Sequence, residues 1–183
     1  FGAGGGGGRI AIHYDPIAQA SAPPVKIALL ASRGALISGM ASDIGSIYLT
    51  DAQLLPEIMD NIEGKIYGPT AWAPSSLVVS NVRVRFAQDG FVLSVSNDIR
   101  VTGSNGRLEM GGGYTMTRAA GGFLSYTAEM RGEGSGTNML GRVLFSTEPC
   151  TLRCGGDLIV TNGAFLRVYA GPTNDQNRFG ARV

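Results

Sequence analysis

One phrase returns along this chain and constrains its fold more than anything else in the sequence. It reads VSNVRV from Val79 to Val84, VSNDIRV from Val95 to Val101 and VTNGAFLRV from Val160 to Val168. Each copy runs from a β-branched residue through Ser or Thr to Asn, and then into a hydrophobic–Arg–Val strand. Asn accepts the left-handed backbone conformation, and its amide can bond to a neighbouring coil. Asn81, Asn97 and Asn162 are therefore expected at equivalent structural corners, in the manner of the Asn ladders of stacked-strand architectures. The first two phrases start 16 residues apart and the last two 65 apart. The longer interval fits three coils of about 20–25 residues, a period typical of solenoids. The shorter interval makes the repeat imperfect.

The rest of the chain reads as short strands between turn residues. Arg9 to Tyr14 alternates, with Ile10 and Ile12 on one face and Arg9, Ala11 and His13 on the other, the pattern of a half-buried strand. Asp15-Pro16 ends it, and Ile17 to Pro24 reads as a small-residue connection. Strands are expected at Val25–Leu30, Ala35–Ser38, Ser46–Leu49, Ile62–Tyr67, Leu77–Phe86, Phe91–Val95, Ile99–Thr102 and Arg107–Met110. Further strands are expected at Tyr114–Thr117, Phe123–Met130, Arg142–Phe145, Leu158–Thr161 and Phe165–Tyr169. Thr50 to Asn61 is the one segment with helical flavour, interrupted by Pro56. This is an all-β pattern with at most one short helix, and the recurring phrase selects a parallel β-solenoid over a sandwich or barrel.

Composition agrees. Charged residues are 16% of the chain and 28 of its 183 residues are glycine; a helical bundle would need long faces of Lys and Glu. Each coil adds about 4.8 Å along the axis, so seven or so coils would build a rod of about 30–35 Å. Residues 1–8, FGAGGGGG, read as a flexible lead-in, or else as a glycine-packed edge where another chain approaches closely. Residues 9–183 then form a single solenoid domain. The chain opens on Phe1 rather than Met, and neither end offers a capping helix or polar cap. Both facts suit a segment of a longer rod, or a subunit that stacks end to end.

The segments GGGGGRIAIHYD, GSIYLTD and DLIVTNGAFLRVYAG resemble the glycine-rich, β-helical extracellular proteins of some environmental bacteria. More distantly, the coil pattern is similar to the right-handed parallel β-helix of the pectate-lyase-like superfamily, which holds polysaccharide lyases, glycosidases, adhesins and tailspikes. The resemblance implies a right-handed β-helix and a secreted or cell-surface setting. It carries over no active site, because no catalytic motif of the family matches this sequence.

Chemistry-bearing residues are sparse. His13 is the lone histidine, on the exposed side of its strand. The carboxylates are scattered. Stacking would let a pair such as Asp89 and Glu109 meet, but any β-helix permits such coincidences. The arginines are dispersed singly, the mark of solvated strand faces. Trp72, in the Pro-flanked GPTAWAP loop, either packs on its own domain or offers its indole for glycan stacking. Cys150 and Cys154 lie at C-x3-C spacing, about 13 Å apart in an extended strand. They form either a local disulfide across a bend or two buried free thiols. No cofactor is expected. For calcium the best local candidate, Asn174-Asp175 near Asn177, reads first as a turn.

Net charge is +1, which argues against nucleic acid, and no apolar run approaches the roughly 18 residues of a membrane helix. The expected function is an extracellular structural or adhesive solenoid that self-associates into filaments or a surface layer, and is not an enzyme. The alternatives are a β-helix polysaccharide lyase or glycosidase, and a carbohydrate-binding domain with polysaccharide as partner.

Overall fold

A computed structural model of the chain describes residues 6–22, 26–34, 43–88, 90–111, 114–117, 123–126 and 150–168. Its first strand, β1 (Arg9–Ile12), is followed by a short helix, α1 (Pro16–Ala20), and by β2 (Leu29–Leu30) and β3 (Ser46–Leu49). Regular coiling then begins. One coil holds β4 (Ile58–Met59), β5 (Ile62–Tyr67) and β6 (Ala71–Trp72). The next holds β7 (Leu77–Ser80), β8 (Arg83–Phe86) and β9 (Val92–Val95). The third starts with β10 (Ile99–Thr102) and β11 (Arg107–Met110), passes through the antiparallel pair β12 (Tyr114–Thr117) and β13 (Phe123–Tyr126), and resumes at β14 (Thr151–Cys154). The last described coil holds β15 (Leu158–Val160) and β16 (Phe165–Val168).

Like strands stack on like. The longest sheet runs β1-β3-β5-β8-β11-β16, with β2 also paired to β5; the second runs β15-β10-β7-β4 and the third β14-β9-β6. Every pairing in these three sheets is parallel. The fold is thus an all-β parallel solenoid. No element among the described residues is a helix long and apolar enough to cross a membrane.

Register follows from alternation. In the long sheet Ile47, Ile66, Phe86, Met110 and Val168 form one column, and Val84, Leu108 and Leu166 another. A slip of one residue would turn each column outward, so burial fixes the register. The inward residues of all three sheets meet in one apolar cluster. At its centre the Phe86 and Phe91 rings stack at 4.5 Å and Trp72 leans on Phe86 at 5.9 Å.

Three expectations from sequence need correction. Val79, Val101 and Val160 are register partners, so the interval from Val95 to Val160 is not three coils. It is little more than one turn of the solenoid, enlarged by the stretch that carries β12 and β13. The helix lies at Pro16–Ala20, not within Thr50–Asn61. There Asp15 accepts the N–H groups of Ile17 and Ala18, and Pro16 fits the first turn. In the second segment Pro56 forbids helix, the Asp51 carboxylate accepts the Gln53 N–H at 2.8 Å in a turn, and the chain enters β4. Finally, Leu77–Phe86 is two strands, broken at the Asn81 corner.

Gly7 and Gly8, from the glycine-rich start, lie backbone to backbone on Gly45, and Gly7 donates to the Asp43 carbonyl at 3.2 Å. A Cβ at Gly45 would run into the Gly8 carbonyl. The close approach here is between two segments of the same chain.

Candidate functional site

The described residues concentrate their charge on the outer face of the long sheet. Side chains of β5, β8, β11 and β16 that alternate with the inward columns form two outward ones. One runs Lys65, Arg85, Glu109, Arg167 and the other Arg83, Arg107, Phe165. Glu109 is the hub. Its Oε2 accepts from the Arg85 guanidinium at 2.8 and 2.9 Å and from Arg83 at 3.2 and 3.3 Å, and its Oε1 accepts from Arg167 at 3.2 Å. Asp43 adds a second carboxylate from the turn before β3, 2.6 Å from Lys65 and 3.4 Å from Arg83.

Burial makes this cluster consequential. Arg85 is 1% exposed and Glu109 0%. A charge withdrawn from water so completely is tolerated only with good partners. Burial works to raise the Asp43 pKa, but the Lys65 ammonium, with Arg85 and Arg83, outweighs it and holds the carboxyl below its usual value. Arg107 stands apart. No carboxylate among the described residues pairs with it; its guanidinium lies 4.9 Å from the Phe165 ring centre, and that of Arg167 lies 4.8 Å from the same ring. Burial and the charges of Arg83 and Arg167 pull the Arg107 pKa below its usual value, Glu109 opposing and Arg33 adding to the effect.

Sequence reasoning missed this face. It took dispersed arginines as solvated, yet four of them stack within two columns because the coils are in register. Positions 83 and 107, and 85 and 109, each 24 residues apart and near the coil length, were the available signal; Arg167, 58 residues beyond Glu109, gave none. Of the pair Asp89 and Glu109, Asp89 lies outside the described residues, and Glu109 takes bonds from Arg83, Arg85 and Arg167.

The residues singled out in the sequence fall elsewhere. Asn81 and Asn162 turn the same corner, between the second sheet and the long sheet, with φ of 55° and 56°, the positive values among the described non-glycine residues. Between them in the stack lies Gly103, φ 90°, and a Cβ there would run into the Asn81 amide. The Asn162 amide donates to Thr102 Oγ1 at 3.1 Å. Asn97 is not their equivalent: it turns the corner between β9 and β10, where its N–H donates to the Ser75 carbonyl at 2.8 Å. The second phrase thus straddles a different corner, which explains its short spacing.

Trp72 does not present its indole to solvent; it is 9% exposed and packed in the core, so it offers no glycan platform. Cys150 and Cys154 are free thiols rather than a disulfide, because β14 runs extended between them. Cys150 is buried, and the Cys154 thiol faces the Asn97 carbonyl at 3.4 Å. His13 is exposed, 5.0 Å from the Tyr48 ring. Asn174, Asp175 and Asn177 lie outside the described residues. Among those described, no group of three or more His, Cys, Asp or Glu is placed to hold a metal ion.

Just after β1, Tyr14 donates its hydroxyl to the Asp51 carboxylate, to which the Gln53 amide also donates at 2.7 Å. Burial, with Asp51, pushes the Tyr14 pKa up to about 12. On Asp51 burial acts to raise the pKa, but the Tyr14 hydroxyl and the Gln53 donors lower it on balance.

Compared with known proteins, the chain matches no family model, no curated protein and no solved structure.

Proposed function

We propose that this chain is an extracellular structural or adhesive β-solenoid that works by stacking its last described coil on a coil supplied by another copy. One observation carries the reading. Leu77 and Ile99, stacked inward on successive coils, are 0% exposed, whereas Leu158, next in the same column, is 42% exposed. Val79 and Val101 are likewise 0% exposed and Val160 is 42%. Among the described residues β15 and β16 have a strand partner on one side alone. An inward apolar column exposed to water at the last described coil, on strands that have one strand partner each among the described residues, favours addition of another strand layer. The first regular coil differs: Met59 and Ile62 are 0% exposed.

The enclosure of Glu109 by arginines accords with a structural role. The extracellular setting follows the family resemblance, and cell fractionation of the native host tests it. Assembly is tested by sedimentation velocity and negative-stain imaging over a wide concentration range. The proposal expects dimers or longer assemblies that Leu158→Asp with Val160→Asp disperses while the circular dichroism of the strands persists. A wild-type chain that stays a monomer at high concentration overturns it.

A further inference from the structure

We infer that β1 is an autoinhibitory strap. It occupies the edge of β3 on which β16 of a second copy would otherwise add, and it limits growth of the assembly until it is released. The inference rests on the proposed reading of the chain as a stacking solenoid, and it names the second surface of that contact.

Register makes the two strands competitors. Arg9 pairs with Ser46, and the same column continues through Lys65, Arg85 and Glu109 to Arg167. Ile10 pairs with Ile47, and that column continues through Ile66, Phe86 and Met110 to Val168. The two outermost described strands of the long sheet thus hold Arg and then a β-branched apolar residue at the same register. A β16 laid on β3 in the direction and register the sheet already uses would set Arg167 against Ser46 and Val168 against Ile47. Arg9 and Ile10 hold those places. Laid instead on β1 in that register, it would bring Arg167 opposite Arg9, and like charges directly opposite are destabilising. The strap both fills the edge and repels the next strand, a device by which edge strands avoid adding to one another.

β1 also covers apolar surface. Ile10 and Ile12 are half-buried against the core and stack on Ile47 and Leu49, each 0% exposed. Leu158 and Val160, at the other end, are each 42% exposed. Two copies can meet through those exposed ends in a closed, symmetric pair that leaves no matching surface to extend. Continued growth needs an edge of the other kind, and the strap holds it.

The strap is built to come away without the core. No residue of β1 or α1 is buried, and Ile17 is 83% exposed. Beyond the ladder to β3, the segment is tied down by a few polar contacts. Tyr14 donates its N–H to Thr50 Oγ1 at 3.3 Å and its hydroxyl to the Asp51 carboxylate, and the Gln53 amide donates to the Pro16 carbonyl at 3.1 Å. β5, by contrast, lies between β3 and β8 with Ile62 at 0% and Ile66 at 1% exposure. A segment with few buried apolar contacts opens at lower free energy than such a strand.

The test compares the full wild-type chain with Tyr14→Phe carrying Gln53→Ala, which loosens the strap and leaves Leu158 and Val160 untouched. Sedimentation velocity and negative-stain imaging are expected to show the wild type reaching a pair and the variant, at the same concentration, extending to longer linear assemblies. Excess peptide GGGRIAIHYD, the sequence of residues 6–15, should shorten those assemblies by refilling the edge. A variant with the size distribution of the wild type, or assemblies that the peptide leaves unchanged, overturns the strap. So do wild-type filaments that survive a strap locked by a disulfide between Arg9→Cys and Ser46→Cys, in a chain with Cys150→Ala and Cys154→Ser. Should the loosened variant fail to fold, hydrogen exchange on the wild type decides: β1 amides are expected to exchange about tenfold or more faster than those of β5, and equal protection overturns the strap. A wild type that stays a monomer overturns the open-end reading, whereas a paired wild type whose loosened variant does not extend overturns the strap alone.

Discussion

Arg85 and Glu109 are register partners on adjacent coils, joined at 2.8 and 2.9 Å and both closed off from water. Sequence did not pair them with each other, yet the stack puts them side by side on a strand face that the alternation marks as outward. Removing one partner of such a buried pair costs about 3–5 kcal/mol, because the other charge stays behind. Glu109→Leu is therefore expected to lower unfolding stability by about that much. Replacing both, Arg85→Met with Glu109→Leu, should recover much of the loss. Urea denaturation of the single and double variants checks this, and additive losses would count against a coupled pair.

The same face sets the acid limit of stability. The folded-state pKa of Asp43 is depressed, so its contribution is fully present above the unfolded value of about 3.9 and is lost as pH falls through the lower folded value. Asp43→Asn should flatten the pH dependence of stability in that acid window and leave the slope near neutrality unchanged. An identical acid limb in the variant would contradict the assignment.

Tyr14 works at the opposite end of the scale. Its pKa is raised to about 12, so the stability it contributes is present below the ordinary tyrosine value of about 10 and disappears as pH climbs through 12. Tyr14→Phe should therefore lower stability below about pH 10 and remove the fall that Tyr14 gives the wild type between about pH 10 and 12. Thermal melts across that range, with phenolate absorbance followed at each pH, give the measurement.

Trp72 is the one tryptophan in the chain, so its fluorescence reports a single site. Packed against Phe86, it should emit at short wavelength and resist iodide quenching, and Trp72→Ala should cost about 3–5 kcal/mol through the cavity left behind. Emission like that of free indole would contradict its burial. In the same preparation two thiols should titrate after denaturation, and Cys154 should react before Cys150 in the native state.

At the corner shared by Asn81 and Asn162, Gly103 has φ of 90° and no room for a methyl group beside the Asn81 amide. Gly103→Ala should destabilise by about 1–2 kcal/mol from the backbone alone, with more from the clash. Adding Asn81→Gly should relieve the clash and leave the backbone cost. Equal stability of Gly103→Ala and wild type would contradict the corner geometry.

How much of this the sequence could show depends on the range of the signal. Period-two alternation is local, and it located Ser46–Leu49, Ile62–Tyr67, Ile99–Thr102 and Arg107–Met110 at the bounds they take. Corner chemistry is local too, hence Asn81 and Asn162 with their positive φ. Coil membership is not local. Asn97 carries the same phrase at a different corner, and the residues between β11 and β14 hide the pairing of Ile99 with Leu158. The place of Arg167 beside Glu109 lies across that same stretch, so it stayed invisible while each arginine looked solitary. Trp72 left two readings open for a related reason: its flanking prolines suggest a loop, and the stacking of β6 on β9 decides for packing on its own domain.

The account rests on coils lying in parallel register across that long excursion, with Arg100 beside Ile159. Neighbouring strands are about 4.8 Å apart, within the Cα range a disulfide spans. Arg100→Cys with Ile159→Cys, placed in a chain with Cys150→Ala and Cys154→Ser, should form an intramolecular disulfide under mild oxidation without changing the strand circular dichroism. Free thiols that persist, or pair only between chains, would contradict the stacked coils.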